Sequence, residues 1–153
     1  MKRTNTMKSD KGRILILEDE KLIIDMYQMY FEQHDYDFLS SANVQEALDL
    51  ARFEQPDVIL LDIIIPKVED GIVDITAEQG YDFLAAAKRD KDIKNIPVIV
   101  FTNLDTIEDR VKSADLGAIA YLCKKSSAPE DVLQMVAAVI ANEKNKRNKG
   151  SSG

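Results

Sequence analysis

Five polar positions carry most of the chemistry this sequence can offer. Glu18 and Asp19 follow the apolar run RILIL, Asp62 follows DVILL, Thr102 follows PVIVF, and Lys124 follows AIAYLC. Each leaves the carboxyl end of a strand-like run. Glu20 extends the first pair to three consecutive acids. Neighbouring carboxylates repel by roughly 4 kcal/mol per close pair at an effective dielectric near 20. Such a cluster must face water or hold a cation. In open α/β sheets, ligands bind beyond the carboxyl ends of the strands, so all five polar groups emerge on one edge. Several oxygen ligands converging there suit a hard divalent ion, Mg²⁺ above all.

The elements that must position them follow from hydrophobic pattern. Five short apolar runs, 13–17, 36–40, 57–61, 97–101 and 118–123, alternate with amphipathic stretches. Three are apolar nearly throughout, as in parallel strands buried on both faces. Leu22, Ile23, Met26, Tyr30 and Phe31 recur at helical spacing, as do Val44, Ala47, Leu48 and Ala51. Asn43 with Glu46, and Thr76 with Gln79, read as capping boxes. Pro129 suits the first turn of a last helix whose apolar face is Val132, Met135, Val136, Val139 and Ile140. Regular strand–helix alternation with short connections predicts an α/β, doubly wound parallel sheet of five strands covered by five helices. One connection is long: residues 62 to about 76 hold four acids and no clear period.

Each polar residue also has a plainer role open to it. Asp19 or Glu20 could favour a helix N-terminus, Thr102 could cap the next helix, and Lys124 could be a solvated loop lysine. Taken jointly, those roles require five coincidences in register with strand ends, and the constellation is the better reading. His34, far in sequence from any acid cluster, reads as a surface residue. Cys123 reads as a small core filler.

The chain has 153 residues, 45% hydrophobic and 31% charged, which suits one globular domain. A formal net charge of -7 argues against nucleic acid as a partner. The single cysteine excludes an internal disulfide, and no apolar run is long enough for a membrane span or a signal peptide. These features together predict a cytoplasmic protein. Residues 1–11 and 142–153 read as polar tails flanking a domain at 12–141, the terminal GSSG resembling a cloning remnant.

The motifs ILILEDE, DVILLDIIIP, VIVFTN and GAIAYLCKK, in this order and spacing, resemble the receiver domain of bacterial two-component response regulators, the CheY-like superfamily. The resemblance covers about residues 12–141. It implies a flavodoxin-like sheet of strand order 2-1-3-4-5. It also implies that Asp62 accepts a phosphoryl group and that Glu18, Asp19, Asp62 and the Ile64 carbonyl hold Mg²⁺. Thr102 and Lys124 would contact the phosphoryl group. Tyr121 would change rotamer and reshape the face of the fourth helix, fifth strand and fifth helix. The donor would be a sensor histidine kinase or phosphotransfer protein and the output a downstream protein target. The chain would be a monomer or weak homodimer, catalysing only its own phosphorylation and dephosphorylation.

Four positions depart from the family pattern. Glu18 stands where an Asp is usual, Asn103 where a small residue is usual, and Lys125 where a proline follows the lysine. About ten extra residues, VEDGIVDITA, follow strand three. With lysine in place of proline the Lys124–Lys125 peptide should be trans, because a non-proline cis bond costs about 3 to 4 kcal/mol. The connection from Lys67 to about Ile75 reads as an exposed, mobile flap beside the site. Ile64 and Leu104 cannot hydrogen-bond a hydrolytic water, so the phosphorylated state should be long-lived. A haloacid dehalogenase-type phosphatase would need an acid where Ile64 stands, and a flavodoxin would need a phosphate loop where EDEK stands. A receiver-like interaction module without phosphorylation is the remaining alternative.

Overall fold

The structure is a computed structural model that describes residues 8–151. Five parallel strands, β1 (Arg13–Leu17), β2 (Asp37–Ser41), β3 (Val58–Leu61), β6 (Val98–Thr102) and β7 (Ala120–Cys123), form one sheet in the order β2-β1-β3-β6-β7. Numbered among themselves, these strands follow the order 2-1-3-4-5. Five helices connect and cover them: α1 (Lys21–Gln33), α2 (Val44–Glu54), α3 (Gln79–Arg89), α4 (Ile107–Asp115) and α5 (Pro129–Ser151). Between β3 and α3 stands a separate antiparallel ribbon, β4 (Lys67–Glu69) and β5 (Ile72–Asp74).

Strands β1, β3 and β6 are buried along their whole length because helices cover both sheet faces. One face packs Leu15, Leu17, Ile59 and Leu61 beneath α2 and α3; the other packs Ile14, Ile16, Leu60 and Phe101 against α1 and α5. Arg13 is the exception in an otherwise apolar strand. It is fully buried and neutralised by Glu54 at 2.8 Å and Asp37 at 3.4 Å. Among the described residues, no helix is long and apolar enough to cross a membrane.

Helix phases and ends show where pattern reading needed correction. In α1 the period was right and the phase was not. Tyr27 and Phe31 are buried, whereas Leu22 is 84% exposed. Asn43 caps α2 by accepting from the Glu46 N–H at 2.8 Å, as its capping box predicts. Thr76 does not cap α3, which begins at Gln79; it bonds Asp74 instead, at 2.7 Å and 2.9 Å. Gln79 turns back to donate to the carbonyls of Ile65 and Pro66.

The run 142–151, read as a polar tail, is helical and continues α5. Helix propagation costs little once a packed segment has nucleated it, and lysine, glutamate and arginine are good helix formers. Of the N-terminal run, Lys8 and Ser9 are tied down: Lys8 reaches Asp57 and the Ser9 N–H donates to Asp37. Residues 1–7 and 152–153 lie outside the described residues.

The connection from Lys67 to Ile75 is exposed throughout, as expected, but it is not structureless. Lys67, Val68 and Glu69 pair in register with Asp74, Val73 and Ile72. Asp70 and Gly71, at φ 51° and 76°, make the tight turn between them. Asp-Gly flanked by β-formers is a strong hairpin signal, and it was there to be read.

Candidate functional site

Loops at the carboxyl ends of β1, β3, β6 and β7 enclose a cleft of about 190 Å³ whose lining includes Asp19, Asp62, Ile64, Thr102 and Lys124. The parallel ladders bring them there. Asp62 donates its N–H to the Leu17 carbonyl, and Glu18 donates its N–H to the Ser41 carbonyl. Each acid therefore leaves its strand while still held by the neighbouring one.

Lys124 Nζ donates to Asp62 Oδ2 and to Glu18 Oε2, both at 2.6 Å. Glu18 is fully buried, and its Oε1 has no hydrogen-bond partner. One oxygen from each of Glu18, Asp19 and Asp62 can gather within 4.8 Å of the others. Burial, then the neighbouring Asp62 carboxylate, pushes the Glu18 carboxyl up to about 8, although Lys124 pulls it down. Burial works to lower the Lys124 pKa, but Asp62 and Glu18 outweigh it and hold it raised. One ammonium thus serves two buried acids, and one carboxylate oxygen is left over.

Thr102 is fully buried at the end of β6, and its Oγ1 accepts from the Leu104 N–H at 3.4 Å. The cap of α4 is Thr106. Ile64 lines the cleft and donates its N–H to Asp62 Oδ1 at 3.2 Å. Tyr121 stands outside the cleft. Its hydroxyl donates to the Leu104 carbonyl at 2.6 Å, and the Arg110 guanidinium lies 4.6 Å from its ring. Leu104 packs its side chain on the core rather than lining the cleft. Among the described residues no peptide bond is cis, so Lys124–Lys125 is trans. His34 is exposed beside Tyr30, and Cys123 is buried.

Sequence reasoning missed two features of the cleft. Pro66 and Ile75, at the two feet of the ribbon, form part of its wall. Gly80 sits directly against the Asp62 loop: a β-carbon there would lie 2.3 Å from the Asp62 carbonyl oxygen. The tight approach of α3 to the Asp62 loop needs glycine, and a glycine next to an apolar helix face was its only sequence mark.

Residues 14–137 match the response regulator receiver domain family. Over 129 residues the chain is 34% identical to the DNA-binding dual master transcriptional regulator RpaA of Synechocystis, covering 84% of this chain and 48% of that protein. The chain spans about half the length of the curated relatives it matches first. A CheY-like receiver domain protein from Methanospirillum hungatei superposes with a TM-score of 0.75 at 25% identity, covering 88% of this chain and 97% of that one. The Mn²⁺-bound form of response regulator Rcp1 superposes with a TM-score of 0.63 at 27% identity, covering 84% and 91%. The chain belongs to the receiver domain family of two-component response regulators and has its CheY-like fold.

Proposed function

We propose that Asp62 is the phosphoacceptor of this receiver domain and that Glu18, Asp19, Asp62 and the Ile64 carbonyl hold a divalent cation, Mg²⁺, beside it. The observation that carries the reading is the single ammonium of Lys124 shared at 2.6 Å between Asp62 and Glu18. The orphaned Glu18 Oε1 fits a metal ligand, since an unpartnered buried carboxylate oxygen is costly unless a cation sits against it. Rcp1, 27% identical, has an Mn²⁺-bound form. When bound, the ion would supply charge neutralisation for the incoming phosphoryl oxygens.

A carboxylate oxygen of Asp62 forms the new O–P bond as the P–N bond to the donor's histidine breaks, and the imidazole leaves with the electron pair. The donor is a sensor histidine kinase or a phosphotransfer protein, and this chemistry belongs in the cytoplasm. Lys124 stabilises the growing charge and Thr102 donates its hydroxyl to a phosphoryl oxygen. Receiver domains are not enzymes in the ordinary sense, because the acceptor is the protein itself.

The output is a change of the α4–β7–α5 face toward a downstream protein. Thr102 and Tyr121 both bond Leu104, so a shift of Thr102 toward the phosphoryl group changes what the Tyr121 hydroxyl can hold. Contacts that exist only after phosphorylation are what a two-state switch requires.

Intact-mass spectrometry after acetyl phosphate and Mg²⁺ tests the assignment. One phosphoryl mass should appear on the wild type and none on Asp62→Asn; an unmodified wild type or a modified variant overturns it.

A further inference from the structure

The ribbon at Lys67–Asp74 has two unlike faces. Val68 and Val73 are directly opposed in register, so their side chains share one face. Ile75 follows in the turn that ends β5, and it is a wall of the Asp62 cleft. The opposite face holds Lys67, Glu69 and Asp74 with Ile72, and Lys67 pairs with Glu69 at 3.5 Å. Val68, Val73 and Ile75 are 68%, 56% and 71% exposed. Exposed apolar residues therefore run along the chain from the wall of the phosphoacceptor cleft at Ile75 to the uncovered Val68–Val73 face of the ribbon.

The stripe has firm footings. Gln79 clamps the carbonyls of Ile65 and Pro66, Ile65 bridges to Glu78, and Asp74 holds Thr76. Isolated two-stranded ribbons are marginal in water, and an exposed apolar face weakens them further unless something packs there. Asp62 is only 6% exposed at the cleft floor. A macromolecular donor must cover the cleft mouth to reach it, and with it the adjoining stripe. With Glu69, Asp70 and Asp74 against Lys67 alone, the ribbon that carries this face is net negative.

We propose that the Val68–Val73–Ile75 stripe is a docking surface for the phosphodonor protein, whose matching surface presents apolar side chains rimmed by basic ones around its phosphohistidine. The proposal rests on Asp62 being the phosphoacceptor. It differs from that reading in predicting a contact that a small donor does not need.

The test uses the full chain, Val68→Thr/Val73→Thr, which keeps β-branched shape, and Val68→Lys/Val73→Lys, which opposes a basic rim. Each is presented to the histidine kinases encoded by the source genome, autophosphorylated with ATP, and separately to acetyl phosphate with Mg²⁺. Transfer from the fastest kinase should fall about tenfold in the threonine pair and further in the lysine pair, the scale of losing an interface hot spot, while acetyl phosphate labelling stays within about twofold. Kinase transfer equal to wild type, or no transfer from any kinase, overturns the proposal. So does an equal loss with both donors, which would make the ribbon a prop for the site. A wild-type dimer that the threonine pair converts to monomer would assign the stripe to a second copy instead. Absence of acetyl phosphate labelling on the wild type sinks the Asp62 reading itself.

Discussion

Gly80 lies against Asp62 backbone to backbone, so closely that a β-carbon at Gly80 would stand 2.3 Å from the Asp62 carbonyl oxygen and 2.5 Å from Ile63 Cα. The Gly80 N–H also donates to the Ile63 carbonyl at 2.9 Å. The first turn of α3 and the loop carrying the candidate phosphoacceptor thus form one rigid corner.

Gly80→Ala should therefore run against helix propensity. In an open helix that substitution stabilises by about 1 kcal/mol. Here the methyl meets backbone that cannot step aside, and a net loss of about 1–3 kcal/mol is expected, as for overpacking a filled core. Acetyl phosphate labelling should slow as well, because Asp62 moves with its loop. Urea midpoints and labelling rates check both; an unchanged or raised midpoint would contradict the close approach.

Divalent cation should stabilise the chain through its acidic cluster. At Mg²⁺ a hundredfold above its dissociation constant the gain is about 2.7 kcal/mol, or roughly 5–10 °C for a domain of this size. Glu18→Gln should abolish that shift. Without Mg²⁺ the same variant should melt at or above wild type, because burial already disfavours the charged form of Glu18. Melting curves with Mg²⁺ and with EDTA give both comparisons, and a full Mg²⁺ shift in Glu18→Gln would remove Glu18 from the ligand set.

Acid sensitivity should show at the link between α3 and α4. The Tyr81 hydroxyl donates to Asp109 Oδ1 at 2.6 Å, and Thr106 Oγ1 donates to Oδ2 at 2.7 Å. These bonds, that of Tyr81 first, hold the Asp109 carboxyl below its ordinary 3.8. A depressed folded pKa adds stability above the unfolded value, and that stability is lost as pH falls through the folded value. Asp109→Asn should cost about 0.5–1 kcal/mol at neutral pH, a small figure because the site is partly exposed and solvent-screened. The difference from wild type should narrow as pH falls below about 4. Thermal melts from pH 7 to pH 2 follow it, and a gap that does not narrow over that range would exclude the ionised hydrogen bonds as its source.

The phosphorylated state should be long-lived, and Ile64 is the residue to test. It lines the cleft beside Asp62 with no group to hold a water. Restoring one positioning hydrogen bond of about 1–1.5 kcal/mol speeds hydrolysis roughly tenfold. Ile64→Asn should accordingly lose its phosphoryl group about that much faster. Leu104 is the poorer position to change, since its side chain packs on the core. Equal decay of Ile64→Asn and wild type would show that water positioning at Ile64 does not set the lifetime.

Much of this protein could be read from pattern because its strands are short, apolar and regularly spaced. A polar residue at the end of a buried parallel strand has one edge on which to emerge, so Glu18, Asp19, Asp62, Thr102 and Lys124 are legible as one group from the sequence alone. The sheet order came from the resemblance of four motifs to a known family rather than from the pattern itself. Pattern failed where the deciding contact comes from elsewhere in the chain. Helix α1 could bury either of two overlapping stripes, and the sheet beneath it selected Tyr27 and Phe31. Thr76 and Gln79 have the spacing of a capping box, but Asp74 and the Ile65–Pro66 carbonyls compete for them and win. The ribbon's place on the cleft wall, the Gly80–Asp62 approach and the sharing of one Lys124 ammonium by two acids join residues that no local period connects. Local sequence determines which face or end of an element a residue occupies; packing between elements determines which residues meet there, because burial and close approach are properties of the assembled surface.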